Sequence, residues 1–211
     1  MNLEKIKIYL KKINLSKFFD INKKIRKNKN YRDNMLIGLI ADTHVNDRAD
    51  QLPELVLETF KDVDLIIHAG DLTSIEVLDK LKKIAPVTAI QGNMDGVYGL
   101  KLPKTEIISF NDIKIGVSHG EVYPRGDEQQ LYYLALELGV DVLITGHSHQ
   151  SSIKKIKGKI LLNPGSPTVP VLSDPTVMLL DINNEEINVE VVKLGRPVCK
   201  ALNFDTDEQC K

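Results

Sequence analysis

The stretch MLIGLIADTH, residues 35 to 44, runs from an unbroken apolar segment straight into an aspartate and, two positions on, a histidine. An apolar run of this length without polar alternation reads as a strand buried on both faces. The residues downstream repeat the theme. PELVLETFKD (53–62) has helical periodicity, DLIIHAG (64–70) is a second buried strand, SIEVLDKLKKI (74–84) a second helix and PVTAIQG (86–92) a third strand. A β-α-β-α-β series of this kind predicts a largely parallel sheet. A hairpin follows, TEIISF and IKIGVSH, turned at Asn111-Asp112. DEQQLYYLALELG (127–139) reads as a helix with Asp127 as N-cap, Gln130 in the capping-box position and Gly139 as stop. DVLITG (141–146) is a further strand, and SSIKKI, KILLN, TVMLLDIN and EINVEVVKL carry only strand signals, so the chain winds first and meanders last. Two sheets packed face to face, with helices outside, fit that order.

Composition sets the bounds. The chain has 211 residues, 42% hydrophobic and 27% charged, enough for one substantial domain with a small appendage. It contains no apolar run near the roughly 18–20 residues of a membrane span and no signal-peptide pattern, so a cytoplasmic protein is expected. The two cysteines, Cys199 and Cys210, sit near the end without a neighbouring histidine and imply neither a disulfide framework nor a zinc knuckle. The net charge of −1 conceals a balance of +8 over residues 1–34 and −9 over residues 35–211. Leu3, Ile6, Leu10 and Ile13 recur at helical spacing among lysines. Residues 1–34 therefore read as a basic extension, partly helical or disordered, whose commonest role is solvation. Contact with nucleic acid or an anionic membrane is the alternative, and an upstream start before Met35 another. The expected division is this extension, a domain over 35–194 and a polar tail over 195–211.

Chemistry gathers just past the strand ends. Asp42 and His44 follow the first strand, Asp71 the second, Asn93 the third, His119 the hairpin, and His147 and His149 the late strand. Open α/β sheets bind ligands at that edge. Four of the five histidines, two aspartates and an asparagine thus converge from separate segments, which predicts a metal site of imidazole and carboxylate ligands.

ADTH (41–44), GD (70–71), GNMD (92–95), SHG (118–120) and GHSH (146–149), in this order, resemble the five blocks of the calcineurin-like metallophosphoesterases. NPGSP (163–167) resembles the small single-domain phosphodiesterase branch, and the likeness spans residues 35 to about 194. The resemblance implies a metallo-dependent phosphatase-like fold of class α/β (α+β), a four-layer sandwich of two mixed β-sheets flanked by helices. By similarity, Asp42, His44 and His149 bind one divalent ion, Asn93, His119 and His147 a second, and Asp71 bridges them. The ligand types suit transition metals, with Mn first and Ni, Co, Fe or Zn as alternatives. The expected reaction is attack on phosphorus by a hydroxide bridging the metals, without a covalent enzyme intermediate. Asp71, Asn93 and His119, acting through the bound hydroxide and phosphate, would then be the catalytic residues, with Asp95 as a further candidate. A small phosphodiester or phosphomonoester is the expected substrate, and a homo-oligomer is one state compatible with the sequence.

One position departs from the wider family. Many members carry Gly-Asn-His-Asp where this chain has Met94, and a thioether donates no proton. Activated diesters are the expected substrates as a result. Asn93, Met94 and Arg125 are the expected substrate contacts, against plain wall packing for Met94 and a solvated loop position for Arg125. Asp95 orients Asn93 or a substrate group, or serves the turn beside Gly96. His68, inside an apolar strand, packs or supports Asp71. Ser166 has no base near it in sequence and is not a nucleophile. The alternative from another class is a scaffold: the retromer complex contains a subunit of this fold that binds protein partners with little or no catalysis.

Overall fold

A computed structural model describes residues 34–183 and 186–195. The basic extension, apart from Asn34, and the tail beyond Gly195, with both cysteines, lie outside the described residues.

Among the described residues, ten strands and three helices follow in chain order. They are β1 (Met35–Ile40), α1 (Glu54–Thr59), β2 (Leu65–His68), α2 (Ile75–Lys82), β3 (Val87–Ala89), β4 (Thr105–Phe110), β5 (Ile113–Ser118), α3 (Glu128–Glu137), β6 (Val142–Ile144), β7 (Ser151–Ile156), β8 (Lys159–Pro164), β9 (Thr176–Ile182) and β10 (Ile187–Lys193). Strands order as β10-β9-β1-β2-β3 in one sheet and β4-β5-β6-β8-β7 in the other. The parallel pairs are β1–β2 and β2–β3 in the first, β5–β6 and β6–β8 in the second, and antiparallel hairpins close the edges. The closing strands do not form one meander. β7 and β8 complete the second sheet, whereas β9 crosses back to pair with β1 and carries β10 on its outer edge. Local patterning is the same for both hairpins, and only the tertiary register sends them apart.

Alternation along β1 explains the layering. Ile37, Leu39 and Ala41 point between the sheets and meet Ile115, Val117 and Ile144 of the second sheet. Leu36 and Ile40 point outward onto Val56 and Phe60 beside α1 and Leu78 and Leu81 of α2. Gly38 lies under Phe60, where an added Cβ would stand 2.8 Å from the ring. Phe60 is fully buried and contributes about 1.5–3 kcal/mol of apolar burial. On the far side Leu131, Tyr132 and Ala135 of α3 cover Leu143 and Leu161. Helix, sheet, sheet and helix thus form four layers, as expected from the sequence. Asp127 caps α3 by accepting from the Gln130 N–H at 2.8 Å. The Gln130 side chain does not close a capping box but donates to the Tyr123 carbonyl and anchors the loop before the helix. No helix among the described residues is long and apolar enough to cross a membrane.

Candidate functional site

β1, β2, β3, β5 and β6 end at the same rim, and each hands a ligand-type side chain to it. Asp42 and His44 leave β1 on a loop tied to the loop after β2: Asp42 N–H donates to Gly70 O and His44 N–H to Asp71 O, both at 3.0 Å. Asp42, His44, Asp71, His147 and His149 have positive φ, between 43° and 68°. Left-handed backbone is costly for residues with a Cβ and persists only where surrounding bonds enforce it. Ser166 Oγ–H donates to Asp42 O and Thr168 Oγ–H to Thr43 O, each at 2.7 Å, and these bonds hold the first loop from the far end of the chain. Asp95 is fully buried and accepts from the N–H groups of Asp71 (2.9 Å), Thr73 (2.8 Å) and Gly92 (2.8 Å). Its carboxylate thus fixes the Asp71 loop and is not presented to the rim.

The side chains converge in two groups. Asp42, His44 and His149 form the first, with the Nε2 atoms of the two rings 3.3 Å apart and Asp42 Oδ1 3.6 Å from His149 Nε2. In the second, Asn93 Oδ1 lies 3.1 Å from His119 Nε2 and 3.0 Å from His147 Nδ1. Asp71 Oδ2 stands between them, 3.5 Å from His44 Nε2 and 3.4 Å from His119 Nε2. Asp42 also reaches the second group, with Oδ1 3.9 Å from His119 Nε2. Gly92 makes this approach possible, since a Cβ there would lie 2.2 Å from Asp71 Oδ1. Met94 takes part through its backbone, its N–H donating to Asp71 Oδ1 at 2.7 Å.

Hydrogen bonds behind the rings set their tautomers. Nδ1 of His44 donates to Asp47 Oδ2 at 3.0 Å, that of His119 to Ala69 O at 2.8 Å and that of His149 to Val169 O at 2.7 Å. Those acceptors carry no proton to give, so in the neutral rings each Nε2 turns a lone pair toward the carboxylates. Tyr98 extends the first of these links, its O–H donating to Asp47 Oδ1 at 2.8 Å.

Electrostatics record the crowding. Burial pushes the Asp42 carboxyl up to about 7, with the Asp71 charge adding to the rise and His119 opposing it. Burial also works against ionisation of Asp71, but the His119 contact and charge and the Met94 N–H outweigh it and hold Asp71 at about 2. His119 is likewise opposed by burial, yet Asp71 and Asp42 raise it to about 9. Burial lowers His44, lowers His149 to about 4, and lowers His147 with help from the charges of His119 and Arg125. Lone pairs 3.3 Å apart on two buried rings repel, and Asp42 Oδ2 is buried without a hydrogen-bond partner among the described residues. Both defects are repaired by a cation, so the donor set fits divalent metal ions.

Other residues singled out in the sequence fall elsewhere. His68 is fully buried and contacts Thr43 Oγ at 3.2 Å, so it backs the Asp42–His44 loop and not Asp71 directly. Burial lowers this ring to about 3. Arg125 is exposed in the loop after His119, beside Ser148 and not within the cluster. Asp47, Tyr98, Thr168 and Val169 were not legible as site residues. Asp47 follows His44 by three positions, and the need of a ligating histidine for an acceptor behind it is a signal that points to it. Tyr98 and Val169 meet their partners only through the fold.

A family model described as the calcineurin-like phosphoesterase superfamily domain matches residues 35–185. A "Probable metallophosphoesterase" of Methanothermobacter thermautotrophicus is 55% identical over 170 residues, 81% of this chain and 99% of that protein. Among solved structures, wild-type Vps29 of Entamoeba histolytica complexed with zinc is 32% identical, with a TM-score of 0.64 over 76% of this chain and 100% of that one. A novel archaeal phosphodiesterase is 25% identical, with a TM-score of 0.59 over 75% of this chain and 100% of that one. Ligand-type side chains at the strand ends of two sheets and a family match over residues 35–185 agree: the chain belongs to the calcineurin-like phosphoesterase superfamily.

Proposed function

We propose that the protein is a phosphodiesterase that works with two divalent transition-metal ions, Mn first among them, and that residues 35–194 are its catalytic unit. The observation that carries this reading is the position of Asp71 Oδ2, 3.5 Å from His44 Nε2 and 3.4 Å from His119 Nε2, between two sets of donors. Asp42, His44 and His149 hold one ion, Asn93, His119 and His147 the other, and Asp71 is shared. When bound, the ions supply the Lewis acidity that neutralises phosphate oxygens and makes water a nucleophile at neutral pH. The likeness to an archaeal phosphodiesterase supports a diester over a monoester.

The protein's own groups divide the remaining work. Asp95 positions Asp71 through the three backbone N–H groups it accepts. Asp47 and Tyr98 keep the His44 ring in one tautomer and orientation. Asn93, exposed at the rim, presents its amide to substrate as well as to metal, and Met94 beside it offers no proton to a departing alcohol. Alcohols of low pKa leave without such help, so activated diesters react fastest.

The test is hydrolysis of bis(p-nitrophenyl) phosphate and p-nitrophenyl phosphate by metal-stripped protein, with Mn, Ni, Co, Zn or Mg restored in turn. Metal-dependent diester turnover that vanishes in Asp71→Ala is expected. Undiminished turnover in that variant would overturn the assignment. Likeness to Vps29 favours a second reading, a scaffold for a protein partner; tight metal binding without turnover of either ester is the result that selects it.

A further inference from the structure

A cleft of about 330 Å³ opens on the outer face of the second sheet, between the start of α3 and strands β7 and β8. It adjoins the metal-centre loop through Ser148, which stands between His147 and His149 and lines the cleft. Asn163 forms the shared wall. Its Nδ2 donates to Gly146 O at 2.6 Å and to Ser148 Oγ at 3.1 Å. The guanidinium of Arg125 lies at the cleft and near enough to His147 for its charge to act on that ring.

The lining defines the ligand by chemistry. Lys154 is paired with Glu128 at 2.8 Å, so their charges cancel. Arg125 has no carboxylate partner among the described residues, which leaves the cleft one uncompensated positive charge. Ser152 pairs with Asn163 and, like Lys154 and Leu161, faces outward, so its hydroxyl lines the wall, and it has no hydrogen-bond partner among the described residues. No aromatic side chain among the described residues lines the cleft, so it offers no ring on which a nucleobase or an aryl group could stack. The volume is at the small end for ligand sites, which run from about 300 to 1,000 Å³. Together these features suit a small polyol that carries one anionic group.

We propose that this cleft binds one ester arm of the substrate, an alcohol of the glycerol phosphate or sugar phosphate kind, with Arg125 on the anionic group and Ser148 and Ser152 on the hydroxyls. The substrate class narrows accordingly, and the claim rests on the phosphodiesterase reading above. A guanidinium contact to an anionic oxygen group is strong enough to separate substrates by about tenfold.

The experiment compares kcat/KM of the metal-loaded full chain on p-nitrophenyl diesters whose second alcohol is phenol, glycerol or glycerol 3-phosphate. The glycerol 3-phosphate diester is expected to exceed the phenyl diester about tenfold or more. That ratio is expected to fall toward one in Arg125→Ala and in Ser152→Leu, which fills the cleft. A ratio near one in the parent protein, or one preserved in both variants, overturns the proposal. Binding is read separately by titrating metal-free protein with sn-glycerol 3-phosphate or inorganic phosphate while following the Ser151 and Ser152 amides by NMR. Shifts with glycerol 3-phosphate that are weaker with phosphate and lost in Arg125→Ala support the site. Absent shifts, or equal response to both anions, overturn it. Amide shifts in a protein that cleaves no diester would defeat the phosphodiesterase reading while leaving the cleft as an anionic polyol site.

Discussion

Asp42, His44, Asp71, His147 and His149 all stand on left-handed backbone, a conformation that costs a residue with a Cβ about 1–2 kcal/mol. The proposed metal centre is therefore assembled against the local preference of its own residues. His147 is the most accessible of the five, and His147→Asn keeps a polar side chain where asparagine tolerates the geometry. The metal-free variant is expected to melt no lower than the parent, by up to about 1 kcal/mol in its favour, while its metal loading falls. A lower melting point in the variant, by thermal denaturation, would show that the strain is not stored there. Asp47 tests a different residue-scale point. Removing the carboxylate behind His44 in Asp47→Ala leaves Nδ1 without its acceptor, and metal affinity measured by calorimetry is expected to drop about 10- to 100-fold.

At the scale of the element, the loops after β2 and β3 act as one unit because Asp95 clamps both. Its carboxylate accepts from Asp71 and Thr73 on one loop and from Gly92 on the other. Asp95→Ala strands three buried N–H donors, each costing about 1–3 kcal/mol, so a loss of about 3 kcal/mol or more is expected in denaturant unfolding. Asp95→Asn retains one acceptor oxygen and is expected to lose less. An unchanged midpoint in the alanine variant would mean the loops hold without the clamp. From sequence, Asp95 had two readings, substrate group or turn residue. Orienting Asn93 was a further reading, and none of them placed Asp95 under the Asp71 loop, because nothing local reveals that a carboxylate beside Gly96 turns inward to full burial.

For the whole molecule, proton and metal compete for the same groups. Asp42 rises from an ordinary 3.8 to about 7 when folded, and His119 from 6.5 to about 9. The metal-free fold therefore binds protons that the unfolded chain releases, and the associated stability is lost as pH rises through those two values. His149 and His68 act oppositely. Their folded values, about 4 and about 3, lie below 6.5, so the stability they lend is present above 6.5 and lost as pH falls toward those values. A divalent ion displaces the protons on Asp42 and His119. The melting-temperature gain on adding Mn is thus expected to grow as pH rises from about 6 to about 9, and a gain independent of pH would contradict this account.

Much of this was legible in the order of the residues. β1, β2 and β3 declare themselves by apolar runs, and Asp42, Asp71, Asn93, His119 and His147 sit immediately beyond strand ends, where backbone direction alone brings them to one rim. Periodicity and strand polarity are local properties, so sequence determines them. What tertiary structure alone decided are relations between residues far apart in the chain. Local pattern does not say that β8 and β9 join different sheets, that Ser166 ties down Asp42 from 124 positions away, or that Tyr98 braces Asp47 across 51. Nor does it show Arg125 beside Ser148 at a cleft of the outer face. Such contacts form between surfaces that exist only once the sheets have packed, and no pattern within a few residues of either partner encodes them.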